Sequence, residues 1–279
     1  MRKINPSNFH KFQVSLRRFY FQYLSKKTTM KQTDILLIIV PDVHGRTFWN
    51  EIFNYDCETV FLGDYLDPYP SENIYPWDAM YNLTQIVAYA KAHPNVHLLL
   101  GNHDLCYSMG RHICNCRCDF ENYDTLRQLF RDNDALFQLA HDCEVNGKRF
   151  FFSHAGLSFG WYNQHRDIFT LPYEETLRAS YVNELYRSGK LNKILSEIHY
   201  MRGGTHPFGS IVWSDIREQI EGDGQNPTDI IQIVGHTQLV TAPLNLAEEY
   251  RLYAVDNRKC LYLDTLGKLR LLSTGEEIT

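Results

Sequence analysis

Five short stretches of this chain place carboxylates, imidazoles and amides where an apolar run gives way to a turn. "PDVHG" carries Asp42 and His44, and "GDYLD" carries Asp64 and Asp67. "GNHD" carries Asn102, His103 and Asp104, "SHAG" carries His154, and "GHTQ" carries His236. Taken singly, each reads as an ordinary turn, because Asp and Asn side chains bond to nearby backbone and stabilise one. Taken together they read differently. Ligands in open α/β sheets gather outside the carboxyl ends of the strands. Strand ends that repeatedly carry ligand-type side chains predict one shared polar site, with "GNHD" as one of its walls.

The elements that must hold these residues are legible in the apolar pattern. "DILLIIV" (34–40), "TVFL" (59–62) and "VHLLL" (96–100) are continuous apolar runs of strand length, as in buried strands. Residues 76–93 have apolar positions at helical spacing, with Pro76 suited to the first turn. Residues 123–140 read as a second helix, 149–156 as a strand running into a loop, and 172–200 as two helical segments. "GSIVWS" (209–214) and "DIIQIVGH" (229–236) read as strands, and "RLYAVD", "CLYLD" and "KLRLL" as hairpin-linked strands near the end. Strand–helix alternation followed by a strand-rich tail predicts an α/β protein with mixed sheets.

The chain of 279 residues is 44% hydrophobic and 14% aromatic, which is enough for a large globular core. Its net charge of −5 offers no general attraction to nucleic acid. No run approaches the ~18 apolar residues of a membrane span. An odd count of seven cysteines in a long chain favours a reduced, cytoplasmic setting over a disulfide framework. Residues 1–29 hold seven Lys or Arg and no Asp or Glu, leaving −12 for residues 30–279 (−5 less +7). This basic extension reads as a non-native start upstream of a catalytic domain at 30–279, a transit segment, or a surface-packed helix. "CNCRC" (114–118) has alternating cysteines that would bind zinc if Cys106 or His112 completed the set. The spacing of Cys114, Cys116 and Cys118 matches no common zinc pattern. "GDG" (222–224) reads as a turn.

The set "DVHG", "GDYLD", "GNHD", "SHAG" and "GHT" resembles the calcineurin-like metallophosphoesterase superfamily, including its metal-dependent serine/threonine phosphatases. The matching motifs span 42–237, about 70% of the chain. The resemblance implies a four-layer sandwich, with two mixed β-sheets flanked by helices, and a dinuclear metal site at the strand ends. It implies a first metal on Asp42, His44 and Asp64, and a second on Asp64, Asn102, His154 and His236, with Asp64 as the bridge. Two dications ~3.5–4 Å apart need such an anionic bridge. The mixed nitrogen and oxygen donors suit Mn²⁺ best, with Fe or Zn²⁺ as alternatives. By the same resemblance, a metal-bridging hydroxide attacks phosphorus in line. His103 is then the general acid facing the leaving oxygen, and Asp67 orients and charges it.

Departures from the pattern narrow the branch. Gln238 stands where many members carry a further histidine for the first metal, which is similar to the serine/threonine phosphatases, as is "VWSD" (212–215). Asp104 stands where many eukaryotic members have Glu, which points to a bacterial-type branch. "GDYLDPYP" lacks the Arg-Gly that holds phosphate in the phosphatases, so Arg117, Arg202 or Arg46 must replace it. The implied substrates are phosphomonoesters, on a small molecule or a phosphoprotein. The rival reading is a symmetrical dinucleoside tetraphosphatase, which "GNHDL" and "SHAG" also resemble. A phosphodiesterase or an inactive scaffold of the same fold ranks behind both. No nucleic-acid or membrane partner is expected.

Overall fold

The computed structural model describes residues 34–113, 115–221 and 227–279. The basic extension, Cys114 and the "GDG" turn lie outside the described residues.

Two mixed sheets form the centre. β1 (Ile35–Val40), β2 (Glu58–Phe61), β3 (Val96–Leu99) and β4 (Phe137–Gln138) run parallel. β10 (Leu261–Asp264) pairs antiparallel with the other edge of β1, and β11 (Leu269–Leu271) follows it, giving the order β11-β10-β1-β2-β3-β4. The second sheet has the order β5-β6-β7-β9-β8, built from β5 (Ala140–Val145), β6 (Lys148–Ser153), β7 (Ile230–Val234), β8 (Leu244–Leu246) and β9 (Leu252–Ala254).

Side chains alternate across a strand, so an apolar run can serve two cores at once. Leu37, Ile39, Val60 and Leu62 pack against Phe150, Phe152, Ile231 and Ile233 of the second sheet. Their neighbours Ile38, Val40, Phe61 and Leu98 join the other core, with α1 (Pro76–Ala92), α2 (Asn102–Ser108) and α3 (Tyr123–Asp132). Phe151 and Ile230 do the same from the second sheet, in company with residues of α4 (Phe159–Gln164), α5 (Tyr173–Thr176) and α6 (Ala179–Arg187). The result is helices, sheet, sheet, helices. In α1 the buried Ala79, Leu83, Ile86 and Ala90 keep helical spacing, and Pro76 opens the first turn.

Several segments differ from the pattern reading. The helix expected over 123–140 ends at Asp132, where the Asn133 side chain donates to Leu129 O at 2.7 Å and satisfies a terminal carbonyl. The chain then turns and enters β4 and β5. In β5 only Ala140 and Val145 are fully buried, so its polar middle carries no apolar alternation. The Asn146-Gly147 turn, with both φ positive at 51° and 76°, pairs it to β6. "GSIVWS" is a tight loop closed by Ser214 N–H on Ser210 O at 2.8 Å. Ile211 and Val212 are apolar because that loop is buried in the core, not because they lie in a sheet. "CLYLD" and "KLRLL" do form a hairpin, but "RLYAVD" supplies β9 of the other sheet. No helix among the described residues is long and apolar enough to cross a membrane.

Candidate metal centre

Parallel strands β1, β2 and β3 end on the same side of their sheet, and β6 and β7 end beside them. The turns there are strained. His44, Asp64, Asp67 and His236 all have left-handed backbone, with φ of 45°, 51°, 58° and 59°. They make up half of the eight described non-glycine residues with positive φ. Such conformations cost about 1–3 kcal/mol each and persist only where surrounding bonds impose them.

Those bonds are present. The Asp104 carboxylate accepts N–H bonds from Asp64 at 2.7 Å, Tyr65 at 3.1 Å and Gly101 at 2.8 Å, which clamps one turn to the next. His44 N–H donates to Asp64 O at 2.6 Å. Both Asp42 oxygens accept the His236 N–H at 3.1 Å. Two glycines are required by close approach. A Cβ at Gly101 would lie 2.2 Å from Asp64 Oδ1, and one at Gly235 would lie 2.2 Å from Asp42 Oδ1.

The imidazoles are oriented from behind. His44 Nδ1 donates to Leu66 O at 2.8 Å, which turns Nε2 toward Asp64 Oδ2 at 3.5 Å. His154 Nδ1 donates to Leu62 O at 2.9 Å. Its Nε2 then lies 3.6 Å from Asp64 Oδ2, 2.9 Å from Asn102 Oδ1 and 3.1 Å from His236 Nδ1. Potential donor atoms of His44, Asp64 and His103 lie within 4.8 Å of one another, as do those of Asp64, His154 and His236. Asp64 belongs to both groups. Asp42 stands behind them, with Oδ1 4.0 Å from His154 Nδ1. Gln238 is exposed.

The electrostatics fit cations. Asp42, Asp64 and Asp256 are all buried here. Burial, reinforced by Asp256, pushes the Asp42 carboxyl well above its ordinary range. Burial likewise raises Asp256 to about 7. For Asp64, burial is outweighed by His154, His103, His44 and His236, which hold it below the usual carboxylate range. Burial lowers His44 to about 3 and His236 well below its ordinary value, so both are neutral, the form that ligates metals. His236 Nε2 is buried with no hydrogen-bond partner. Crowded carboxylates, neutral imidazoles and an orphaned nitrogen are the surroundings that divalent ions complete.

His103 is oriented separately. Its Nδ1 bonds Asp67 Oδ2 at 2.9 Å, and Asp67 Oδ1 accepts the Tyr107 hydroxyl at 2.6 Å and the Asp119 N–H at 3.2 Å. Burial disfavours charge on His103, but Asp64 and the bond to Asp67 outweigh it and hold its pKa well above the ordinary value. The His103 ring meets His44 edge-on, with centroids 5.0 Å apart.

The three arginines differ. Arg46 is committed to Glu72 through Nε and Nη2, and its Nη1 donates to Asp42 O at 3.2 Å. Arg202 pairs with Asp215 at 2.8 Å and donates to Thr237 Oγ1. Arg117 is exposed, donates to Asp67 O at 3.0 Å, and stacks 4.0 Å over the Tyr69 ring, which itself meets His44 edge-on. Arg46 is therefore poorly placed to serve as a free phosphate holder, and Arg117 is better placed.

Asp256, Tyr107, Asp104, Gly101 and Gly235 belong to this centre although no motif marked Asp256 or Tyr107. Tyr107 sits one helical turn beyond His103 in α2, a spacing that puts both on one face. The zinc reading of the cysteines fails at Cys106, which is disulfide-bonded. Cys116 and Cys118 are thiols, and Cys118 Sγ lies 3.3 Å from Cys106 Sγ.

Two mixed sheets flanked by helices, with Asp and His side chains converging at the strand ends, are the architecture of a metal-dependent phosphoester hydrolase once a family match is added. The chain belongs to the calcineurin-like phosphoesterase family, whose sequence model matches residues 36–253. No curated protein matches the chain.

Proposed function

We propose that this protein is a cytoplasmic phosphomonoesterase using two Mn²⁺-class ions. Asp42, His44 and Asp64 would hold one ion, and Asp64, Asn102, His154 and His236 the other. When bound, such ions supply Lewis acidity to the phosphoryl group and acidify the attacking water. The observation that supports a hydrolase best is the His103–Asp67 pair beside Asp64. Asp67 holds the imidazole at Nδ1, which leaves Nε2 to give its proton to the departing oxygen. Arg117 holds the phosphate or the group next to it. The Tyr69 ring stacks beneath the guanidinium and fixes its orientation, and Asp67 O takes one of its donors. A monoester end carries two negative charges and so suits two cations better than a diester. The cytoplasmic assignment rests on the free thiols at Cys57, Cys116, Cys118, Cys143 and Cys260, five of the seven cysteines.

The test is turnover of p-nitrophenyl phosphate, bis(p-nitrophenyl) phosphate, a phosphopeptide and diadenosine tetraphosphate by Mn²⁺-loaded protein. The monoesters should lead. Faster cleavage of the diester would overturn the reading. Rapid release of two ADP with little monoester turnover would replace it with the dinucleotide hydrolase.

A further inference from the structure

A second convergence of ligand-type side chains lies at the other end of β2. Glu58 opens β2, His97 lies on the neighbouring β3, and His141 reaches across from β5 of the second sheet. Both imidazoles aim at one carboxylate oxygen. His97 Nε2 lies 3.0 Å from Glu58 Oε1, and His141 Nε2 lies 3.2 Å from the same atom. The donor atoms of the three residues all lie within 4.8 Å of one another. The rings stack, with centroids 4.0 Å apart and planes 20° from parallel.

We propose that Glu58, His97 and His141 form a zinc site that clamps the two sheets together at the end remote from the candidate metal centre. Tetrahedral zinc, with bonds of about 2.1 Å to nitrogen and oxygen, sets its ligand atoms about 3.4 Å apart. The two distances to Oε1 are already close to that spacing. Two imidazoles and one carboxylate are an established zinc donor set, and a solvent molecule completes it. Glu58 and His97 are partly exposed and give an ion a way in.

A further feature supports it. His141 Nε2, a buried atom 3.2 Å from Oε1, is off the line of a hydrogen bond to it, so an ion would replace only this ion-pair contact. Converging on one ion requires the stacked rings to open.

The site is independent of phosphoester chemistry. Glu58 opens β2 and Asp64 lies in the turn past its carboxyl end, six positions on and at most roughly 20 Å away at strand rise. The experiment loads wild type, Asp64→Ala, His141→Ala and the double variant with Zn²⁺, removes loose metal by gel filtration, and counts zinc per chain. His141→Ala should hold one zinc fewer than wild type, Asp64→Ala should keep one, and the double variant none. Cobalt substituted into Asp64→Ala should show the visible bands of tetrahedral coordination. Turnover of p-nitrophenyl phosphate by His141→Ala reports that it is folded, and His97→Gln repeats the count if it is not. Equal zinc counts with and without the imidazoles would reduce the trio to an ion-pair network only.

Discussion

The two ends of β2 hold the same kinds of side chain in opposite settings. At the carboxyl end, Asp42, Asp64 and Asp256 are buried together, and His44, Asp64, Asp67 and His236 sit in left-handed backbone. At the amino end, one carboxylate meets two imidazoles, all of them only partly buried on regular strands with no positive φ. Burial and strain go with the end where several charges must be held in one place against their repulsion. The open end needs neither, because a single anion already attracts its partners. The contrast teaches that a donor count alone does not mark a reaction centre. Clamped turns, crowded charge and a separately oriented acid do.

Perturbing the strained end should therefore have large effects. Asp64→Ala should abolish turnover and release both ions, since Asp64 is shared by the two donor groups. Metal analysis that still finds both ions bound there would break the comparison at its base. His103→Ala should slow hydrolysis by roughly 10²–10⁴-fold while keeping the metals, the usual worth of a general acid. The loss should be smaller for p-nitrophenyl phosphate, whose leaving group scarcely needs a proton. An equal loss across leaving groups would make His103 a phosphate binder.

Smaller effects sharpen the picture. Gly235→Ala puts a methyl against Asp42 Oδ1, so metal affinity should fall with the fold retained. A titration with Mn²⁺ followed by activity reads it, and an unchanged midpoint would mean that Asp42 is not a ligand. Tyr107→Phe removes one bond to Asp67 and should cost about 10-fold or somewhat more in kcat with little change in KM. A change confined to KM would place Tyr107 in substrate binding. Smallest of all, deleting residues 1–29 should leave Tm and turnover unchanged, because every candidate ligand follows them. A large drop in Tm would show that the basic extension packs on the core.

Much of this was readable from the chain. The runs at β1, β2 and β3 are apolar on both faces because each strand serves two cores, and that pattern needs no partner to be seen. The turn motifs carrying Asp42, Asp64, Asn102, His154 and His236 are local too, since Asp, Asn and Gly mark turns wherever they occur. Where local pattern misled, the cause was a distant contact. Ile211 and Val212 look like a strand because they are buried, and burial does not require a sheet. β5 shows no strand pattern in the sequence because its middle residues are polar and only partly buried.

By its own residue types the sequence determined which groups are available for metal and proton chemistry, and the turns on which they ride. Only the tertiary structure decided which of them meet. Asp67 reaches His103 across 36 positions, and Asp42 receives the His236 N–H across 194. It also decided that Arg46 is spent on Glu72, that Tyr107 supports Asp67, and that His141 crosses to Glu58. Spacing along a chain sets distance only within a turn or a strand. Beyond that, the packing of two sheets determines which charges stand face to face.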